Sequence, residues 1–309
     1  MPRFKDMRFR QDMRFRIEYG LFRIAVMLLR VLPLDLAAEA AGRVVAWIAP
    51  WLPLHQRALA NLAAAFPDWP DDQRARVAAA MWRNTGRTIA ETMFLDRIMA
   101  DPSRLEVENR DFMERAFREP GANVGVTLHM GNWELSGIAC GMCGANVAAV
   151  YRPMRNPYLD RFLREMRKPF YPAGLLIKGR TMRGAKPGNA AAIAAINILR
   201  NGGLLGLVCD QADDASNFTV PFFGHQAKFT PAPAILARHV GARVWIACCR
   251  RLENGSRFMV HLRELPVERT ADRTADLTNM TTAMAQQFEQ WIRETPEQWM
   301  WWQRRSINS

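Results

Sequence analysis

Beyond residue 120, short runs rich in apolar and β-branched residues recur at 123–128, 146–151, 204–209, 243–249 and 257–262. Between them, at 133–142, 157–168, 188–200 and 231–240, the apolar positions fall at helical spacing, as they do earlier around 71–97. This alternation predicts an α/β fold, a mixed and mostly parallel sheet flanked by helices. In such folds ligands gather where strands end and helices begin, so the polar residues just after each run are the ones to interrogate. No internal repeat of 20 to 50 residues and no serine-rich linker divides the chain, and only a soft compositional boundary falls near residue 100.

The first thirty residues follow a different pattern. Asp-Met-Arg-Phe-Arg occurs twice, at 6–10 and 12–16, and 17–31 is mainly apolar. Arg16, Arg23 and Arg30 are seven apart, close to two helical turns, so a helix carries them on one face, with Leu21, Phe22, Ile24, Met27 and Leu28 over most of the remainder. Such a helix can lie in a headgroup layer, arginines near lipid phosphate and apolar side chains among the acyl chains. The alternative is a helix packed on the protein's own core with a solvated arginine stripe. Eight basic against three acidic residues in 1–30 favour the membrane. A second apolar segment, 44–54, is too short to span but carries Trp47 and Trp51, which suit an interface. Residues 1–60 are therefore read as a basic, amphipathic, membrane-associated segment with helices, and 61–309 as the main domain. No stretch of about 20 residues is free of charge, which argues against an ordinary spanning helix. Arg23 and Arg30 interrupt 17–31, so that segment does not read as a signal peptide.

Composition changes this picture in two ways. With 49% hydrophobic and 23% charged residues, the 309-residue chain is not predominantly disordered. Its net charge of +12 would draw it to phosphates, anionic lipid or acidic proteins. Nucleic acid is disfavoured, because the arginines are scattered and no helix-turn-helix, zinc or ribonucleoprotein pattern is visible. Five cysteines are few and odd in number, which points to a reducing compartment. Cys140 and Cys143 form C-x-x-C in an apolar, small-residue run with no second ligand pair, so a structural role is favoured over zinc or redox chemistry. No metal and no cofactor is expected.

The 123–128 strand runs into His129-Met130-Gly131-Asn132-Trp133-Glu134. His129 leaves the strand end, Gly131 permits a sharp turn, Asn132 can cap the next helix, and Glu134 falls in its first turn, from where the carboxylate can return toward the imidazole. A carboxylate on one ring nitrogen fixes the tautomer and raises the basicity of the other, which can then take a proton from a hydroxyl. A capped structural turn is the alternative. Ser136 lies in no G-x-S-x-G, so a serine nucleophile is not indicated, and H-E-x-x-H is absent.

The spacing of His129 and Glu134 resembles the H-x-x-x-x-E dyad of the bacterial lipid A late acyltransferases, the lauroyl and myristoyl transferases, and their lysophospholipid acyltransferase relatives. Further blocks agree in order: Asn61-Leu62 with Ala65-Phe66-Pro67; Tyr151-Arg152-Pro153 with Asn156-Pro157 and Leu159-Asp160; Cys209-Asp210-Gln211; Val220-Pro221-Phe222-Phe223-Gly224; and Pro296-Glu297-Gln298-Trp299-Met300-Trp301 with Arg304-Arg305. The resemblance covers about 17–305. It implies a glycerolipid acyltransferase-like fold whose acyltransferase domain is 61–309. His129 would be the general base and Glu134 its partner, with Arg152, Asn156, Asp210 and Gln211 binding substrate. It implies acyl transfer from an acyl thioester, on acyl carrier protein in preference to acyl-CoA, to a hydroxyl of a lipid A precursor at the cytoplasmic face of the bacterial inner membrane. Arg152 could bind an acceptor phosphate or the thioester oxyanion, or form an ion pair with Asp210. Two departures bear on the acceptor. The dyad turn is Gly-Asn-Trp-Glu rather than a bulkier Leu-Glu form, and Gln303 stands where a histidine often precedes the terminal arginines. A lysophospholipid or an amino-acid-containing lipid is the alternative acceptor. Trp299, Trp301 and Trp302 flank an acyl channel, sit at headgroups, or are buried, with burial of at least one favoured.

Overall fold

The computed structural model describes residues 2–177, 189–211, 218–253 and 255–303. Helices α1 (Pro2–Val31), α2 (Leu34–Ile48), α3 (Pro53–Ala65), α4 (Asp71–Thr92) and α5 (Leu95–Ala100) precede the sheet. There follow β1 (Leu105–Val107), α6 (Arg110–Arg118), β2 (Asn123–Thr127), α7 (Glu134–Met142), β3 (Val147–Tyr151), α8 (Pro157–Arg167), β4 (Gly174–Ile177), α9 (Asn189–Arg200) and β5 (Leu204–Val208). The chain closes with the hairpin β6 (Thr219–Phe222) and β7 (His225–Lys228), then α10 (Ala232–Val240), β8 (Arg243–Arg251), β9 (Phe258–Leu265) and α11 (Arg273–Glu294). Arg304 and Arg305 lie outside the described residues, as does Gly188 at the start of a predicted helix.

Seven strands form one sheet in the order β1-β9-β8-β2-β5-β3-β4 among the described residues; every pair is parallel except β8 with β9. The central strands are covered on both faces, which is why β2, β5 and β8 read as near-continuous apolar runs instead of alternating ones. One core joins α3, α4, α10 and α11 to one face of the sheet, and the other joins α5, α6 and α7 to the opposite face. The mixed, mostly parallel sheet flanked by helices is as expected. Strands β1 and β4 and the β6–β7 hairpin were not foreseen, nor was α11, whose start is capped by Asp272 accepting from the Ala275 N–H at 3.0 Å.

Helix α1 forms as its periodicity predicts and packs on the protein through Phe22, Val26 and Leu29, with its arginine stripe flanking that face: Arg16 and Arg23 stay exposed, and Arg30 is half-buried. Arg16 bonds Asp12 and stands over the Tyr158 ring of α8. Arg23 stands over Phe162 of the same helix, and Arg30 grips Asp96 of α5 through both terminal nitrogens while donating to the Met93 carbonyl. Guanidinium groups stack on aromatic faces and take carboxylates bidentately, so α8 and α5 offer this stripe better partners than water does. The outward stripe is instead Phe9, Met13, Ile17, Leu21, Ile24, Leu28 and Val31, all exposed. Exposed Trp47 and Trp51, in edge contact at 5.0 Å, lie just beyond α2 and near its end. Among the described residues no helix is long and apolar enough to cross a membrane.

Candidate active site

Sheet register builds the site. Strands β2 and β5 are parallel neighbours with Thr127 opposite Val208, and the Cys209 N–H continues the ladder to the Thr127 carbonyl at 2.9 Å. Two residues beyond that rung on each strand stand His129 and Asp210, which therefore emerge side by side at the carboxyl edge of the sheet. His129 Nδ1 lies 2.7 Å from Asp210 Oδ1, and the His129 amide donates to Oδ2 at 2.9 Å. The Trp299 indole N–H donates to the same Oδ2 at 2.7 Å. Asp210 is fully buried, whereas the His129 ring is 15% exposed and packs against Trp133 at 5.2 Å. A carboxylate accepts only, so Nδ1 carries the proton and Nε2 is left with the lone pair.

The imidazole's carboxylate is thus Asp210 and not Glu134. Glu134 instead takes Arg167 of α8 in a two-pronged ion pair, the Nε bond being 2.8 Å. The path of the turn explains this. Gly131 has φ +56°, and a Cβ there would fall 1.9 Å from the Cys249 carbonyl oxygen, so the backbone folds tightly against β8. Helix α7 begins on Glu134 with its side chain toward α8. Burial opposes the Arg167 charge, but Glu134 beside it outweighs that and raises the guanidinium pKa. Nor does Asn132 cap α7. Its amide nitrogen donates to Glu91 Oε2 of α4 at 3.1 Å.

That contact belongs to a buried polar buttress that sequence reasoning missed. Glu91 is fully buried and paired with Arg251 of β8, and it also accepts from the Ser256 hydroxyl at 2.6 Å. Arg251 Nε donates to Asn84, while Thr88 and Asn84 both donate to the Gly131 carbonyl. From the other side, the Gly131 N–H donates to the Gln298 carbonyl at 2.9 Å and the Met300 N–H to that of His129 at 3.1 Å. The turn is held on both sides by groups contributed from α4, β8 and the chain end. No local pattern signals it, since its members lie about 40 to 170 residues from the turn in sequence.

A cavity of about 570 Å³ opens beside His129, between α7 and the sheet. It runs from exposed Arg152 and Gln211, past His129 and Glu134, to the buried side chains of Leu204 and Trp245. Its width comes from small residues facing one another, with Gly125 of β2 opposite Gly206 of β5 and with Gly137 of α7 and Ala149 of β3 also in the wall. The volume is typical of small-molecule sites, roughly 300–1,000 Å³. Arg152, just after β3, makes no ion pair among the described residues; the pairing with Asp210 considered above is not formed, and that carboxylate meets His129 and Trp299.

Asn156 does not join this cavity. It is buried, caps α8 through Oδ1, and donates to the Phe15 carbonyl at 2.9 Å and to Glu18 at 3.2 Å, so it fastens α1 to α8. Cys140 lines the cavity wall and Cys143 lies near it on the same helix end; burial pushes their thiols up to about 12 and about 11, leaving neither as a nucleophile. Trp299 and Trp301 are fully buried and Trp302 half-buried. Among the described residues no group of three or more His, Cys, Asp or Glu side chains could hold a metal ion.

The chain matches no individual curated protein. A sequence model of a single family, described as bacterial lipid A biosynthesis acyltransferase, matches residues 7–306. The match takes in α1, the His129 turn, Asp210 and the Trp299 segment together, and with nearly the whole length covered, this chain belongs to the bacterial lipid A biosynthesis acyltransferase family.

Proposed function

We propose that the protein transfers a fatty acyl chain from an acyl thioester to a hydroxyl of a lipid A precursor, with His129 as general base. The observation that carries this reading is the Nδ1 contact to Asp210, which leaves Nε2 unprotonated beside an apolar cavity. The acceptor hydroxyl gives its proton to Nε2 as its oxygen attacks the thioester carbonyl. The tetrahedral oxyanion then collapses, the C–S bond breaks, and the imidazolium returns the proton to the departing sulfur. Arg152, exposed at the cavity rim, supplies positive charge for the oxyanion or for an acceptor phosphate. The acyl chain lies in the slot between α7 and β2, β5 and β8. Asp210 orients the base, and Glu134 holds Arg167 in the cavity wall.

Acyl carrier protein is the proposed donor, since an acidic carrier complements a chain of net charge +12. Membrane association at the cytoplasmic face is proposed through the outward apolar stripe of α1 with Trp47 and Trp51. The test is transfer of labelled acyl groups from carrier protein, and separately from acyl-CoA, to a panel of purified acceptors that includes a lipid A precursor, a lysophospholipid and an amino-acid-containing lipid. Transfer to the lipid A precursor, falling ~10²–10⁴-fold in His129→Ala, supports the reading. Transfer unaffected by His129→Ala refutes His129 as the base, and transfer to no acceptor at all leaves the chain a scaffold.

A further inference from the structure

We propose that Trp299 is a positioning residue for acyl transfer and that the chain's carboxyl-terminal segment is thereby part of the active centre. This rests on the reading of His129 as the base.

A buried carboxylate beside an imidazole is useful only if it cannot turn. The β2–β5 register places Asp210 next to His129, but it leaves the carboxylate free to rotate about its own side-chain bond. Among the described residues two N–H groups oppose that rotation by donating to Oδ2, the His129 amide at 2.9 Å and the Trp299 indole at 2.7 Å, so that Oδ1 is presented to Nδ1. The first belongs to the strand end itself. The second comes from a residue 89 positions along the chain, directly after the single 3₁₀ turn Pro296–Gln298.

That segment is fixed in turn. Trp299 forms an antiparallel bridge with Met130, and Gln298 and Met300 exchange backbone bonds with Gly131 and His129. Behind it, Asn61 of α3 donates to the Trp301 carbonyl at 2.6 Å. The Trp299 ring packs on Phe222 at 5.9 Å and Trp301 at 4.6 Å, and Trp301 packs on Phe66 at 5.7 Å. A fully buried indole whose one donor is spent on Asp210 does more than fill space. Charge-assisted bonds of this kind are about twice as strong as neutral ones, and here the bond sets the direction of the base.

The experiment uses the full-length protein in vesicles containing the lipid acceptor, with single-turnover acyl transfer as readout. Trp299 is replaced by Phe and, by nonsense suppression, by 3-benzothienylalanine, which keeps the bicyclic shape and lacks the N–H, so one variant survives even if the other does not fold. Both are expected to lower kcat by roughly 10- to 100-fold, the worth of one hydrogen bond to a charged group, while KM for the donor holds. Combined with Asp210→Asn, either change adds no further loss, because the indole acts through Asp210. Trp291→Phe, which alters a fully buried indole of α11 outside that segment, keeps wild-type kcat. The inference is overturned if the benzothienyl variant transfers at the wild-type rate, if the losses multiply with Asp210→Asn, or if Trp291→Phe loses as much as Trp299→Phe. His129→Ala separates the two readings. Its retention of activity defeats the proposed base, whereas its inactivity beside an active benzothienyl variant defeats only the role of Trp299.

Discussion

Asp210→Asn and Glu134→Gln make opposite demands on the site. In wild type, Asp210 Oδ2 accepts from the His129 amide and the Trp299 indole while Oδ1 meets Nδ1. In Asp210→Asn the amide oxygen must stay with those two donors, so the NH₂ group takes the Oδ1 place and faces Nδ1. Nδ1 then has to accept, the ring proton moves to Nε2, and the nitrogen beside the cavity can no longer take a proton. Nearly the whole general-base contribution is lost, ~10²–10⁴-fold in kcat, with little change in fold because the geometry is isosteric. Glu134→Gln leaves the tautomer intact. It weakens an ion pair whose partners are 11% and 21% exposed, at a cost of about 1.5–3 kcal/mol in stability. Its kcat should therefore exceed that of Asp210→Asn by at least roughly tenfold. Single-turnover transfer and thermal unfolding measured on both variants decide the matter. A Glu134→Gln enzyme as inactive as Asp210→Asn, or a fully active Asp210→Asn enzyme, would refute the assignment of the imidazole's partner.

Replacing Leu21 and Leu28 of the outward α1 stripe by Glu should lower binding to anionic vesicles by at least 10-fold per site, since each Leu is worth about 1.5–3 kcal/mol when buried; flotation with undiminished binding would remove α1 as the docking face. Gly206→Val narrows the slot opposite Gly125 and should shift acyl preference toward shorter chains, about fourfold per excluded methylene at ~0.8 kcal/mol; competition between donors of different length, read by mass spectrometry, checks it. Glu91→Gln leaves the buried Arg251 charge without its counter-charge and should cost ~3–5 kcal/mol in a denaturant titration, with a fall below 1 kcal/mol counting against the buttress. Arg30, by hydrogen bonding against the opposing effect of burial, holds the Asp96 carboxyl below its ordinary value. The stability it contributes is therefore present above the ordinary carboxyl pKa and lost as pH falls through the lowered one. Proteolysis at the α1–α2 junction should accelerate there in wild type, and Asp96→Asn should be cut quickly at every pH.

Much of the fold can be read locally because buried parallel strands and amphipathic helices write their periods into consecutive residues. The five strands anticipated are β2, β3, β5, β8 and β9. Strand β1 has three residues and β4 four half-buried ones, too few to show a period, and the β6–β7 hairpin carries Pro221, a residue that strands tolerate only at edges. The His129 turn was legible, and so was Asp210 as a polar residue after a strand. Their partnership was not, because it depends on β5 lying beside β2, a pairing across 81 residues that no spacing rule encodes. Glu134 is nearer in sequence, yet the tight fold at Gly131 turns it to Arg167, whose place on α8 gave no sign of this role.

Helix α1 shows the same limit and leads further. Period 3.6 tells which residues share a face; only the partners decide which face is buried. Here Phe22, Val26 and Leu29 pack on the body, the arginines flank them beside Tyr158, Phe162 and Asp96, and the apolar stripe is left outside. Of the three stripe arginines, Arg30 fastens the helix to α5 while Arg16 and Arg23 stay exposed, and Asn156 and Tyr158 bond α1 from the start of α8. That point on α8 directly follows β3 and Arg152 at the cavity rim. In the proposed membrane-bound state, a helix seated by its apolar stripe would thus carry the rim of the acyl cavity with it through bonds of the helix itself, not through a flexible tether. The Arg30–Asp96 pair and the bonds from α8 would then fix the height of the site above the bilayer, and the exposed Arg16 and Arg23 would stand toward lipid phosphate together with the charged groups around the cavity mouth.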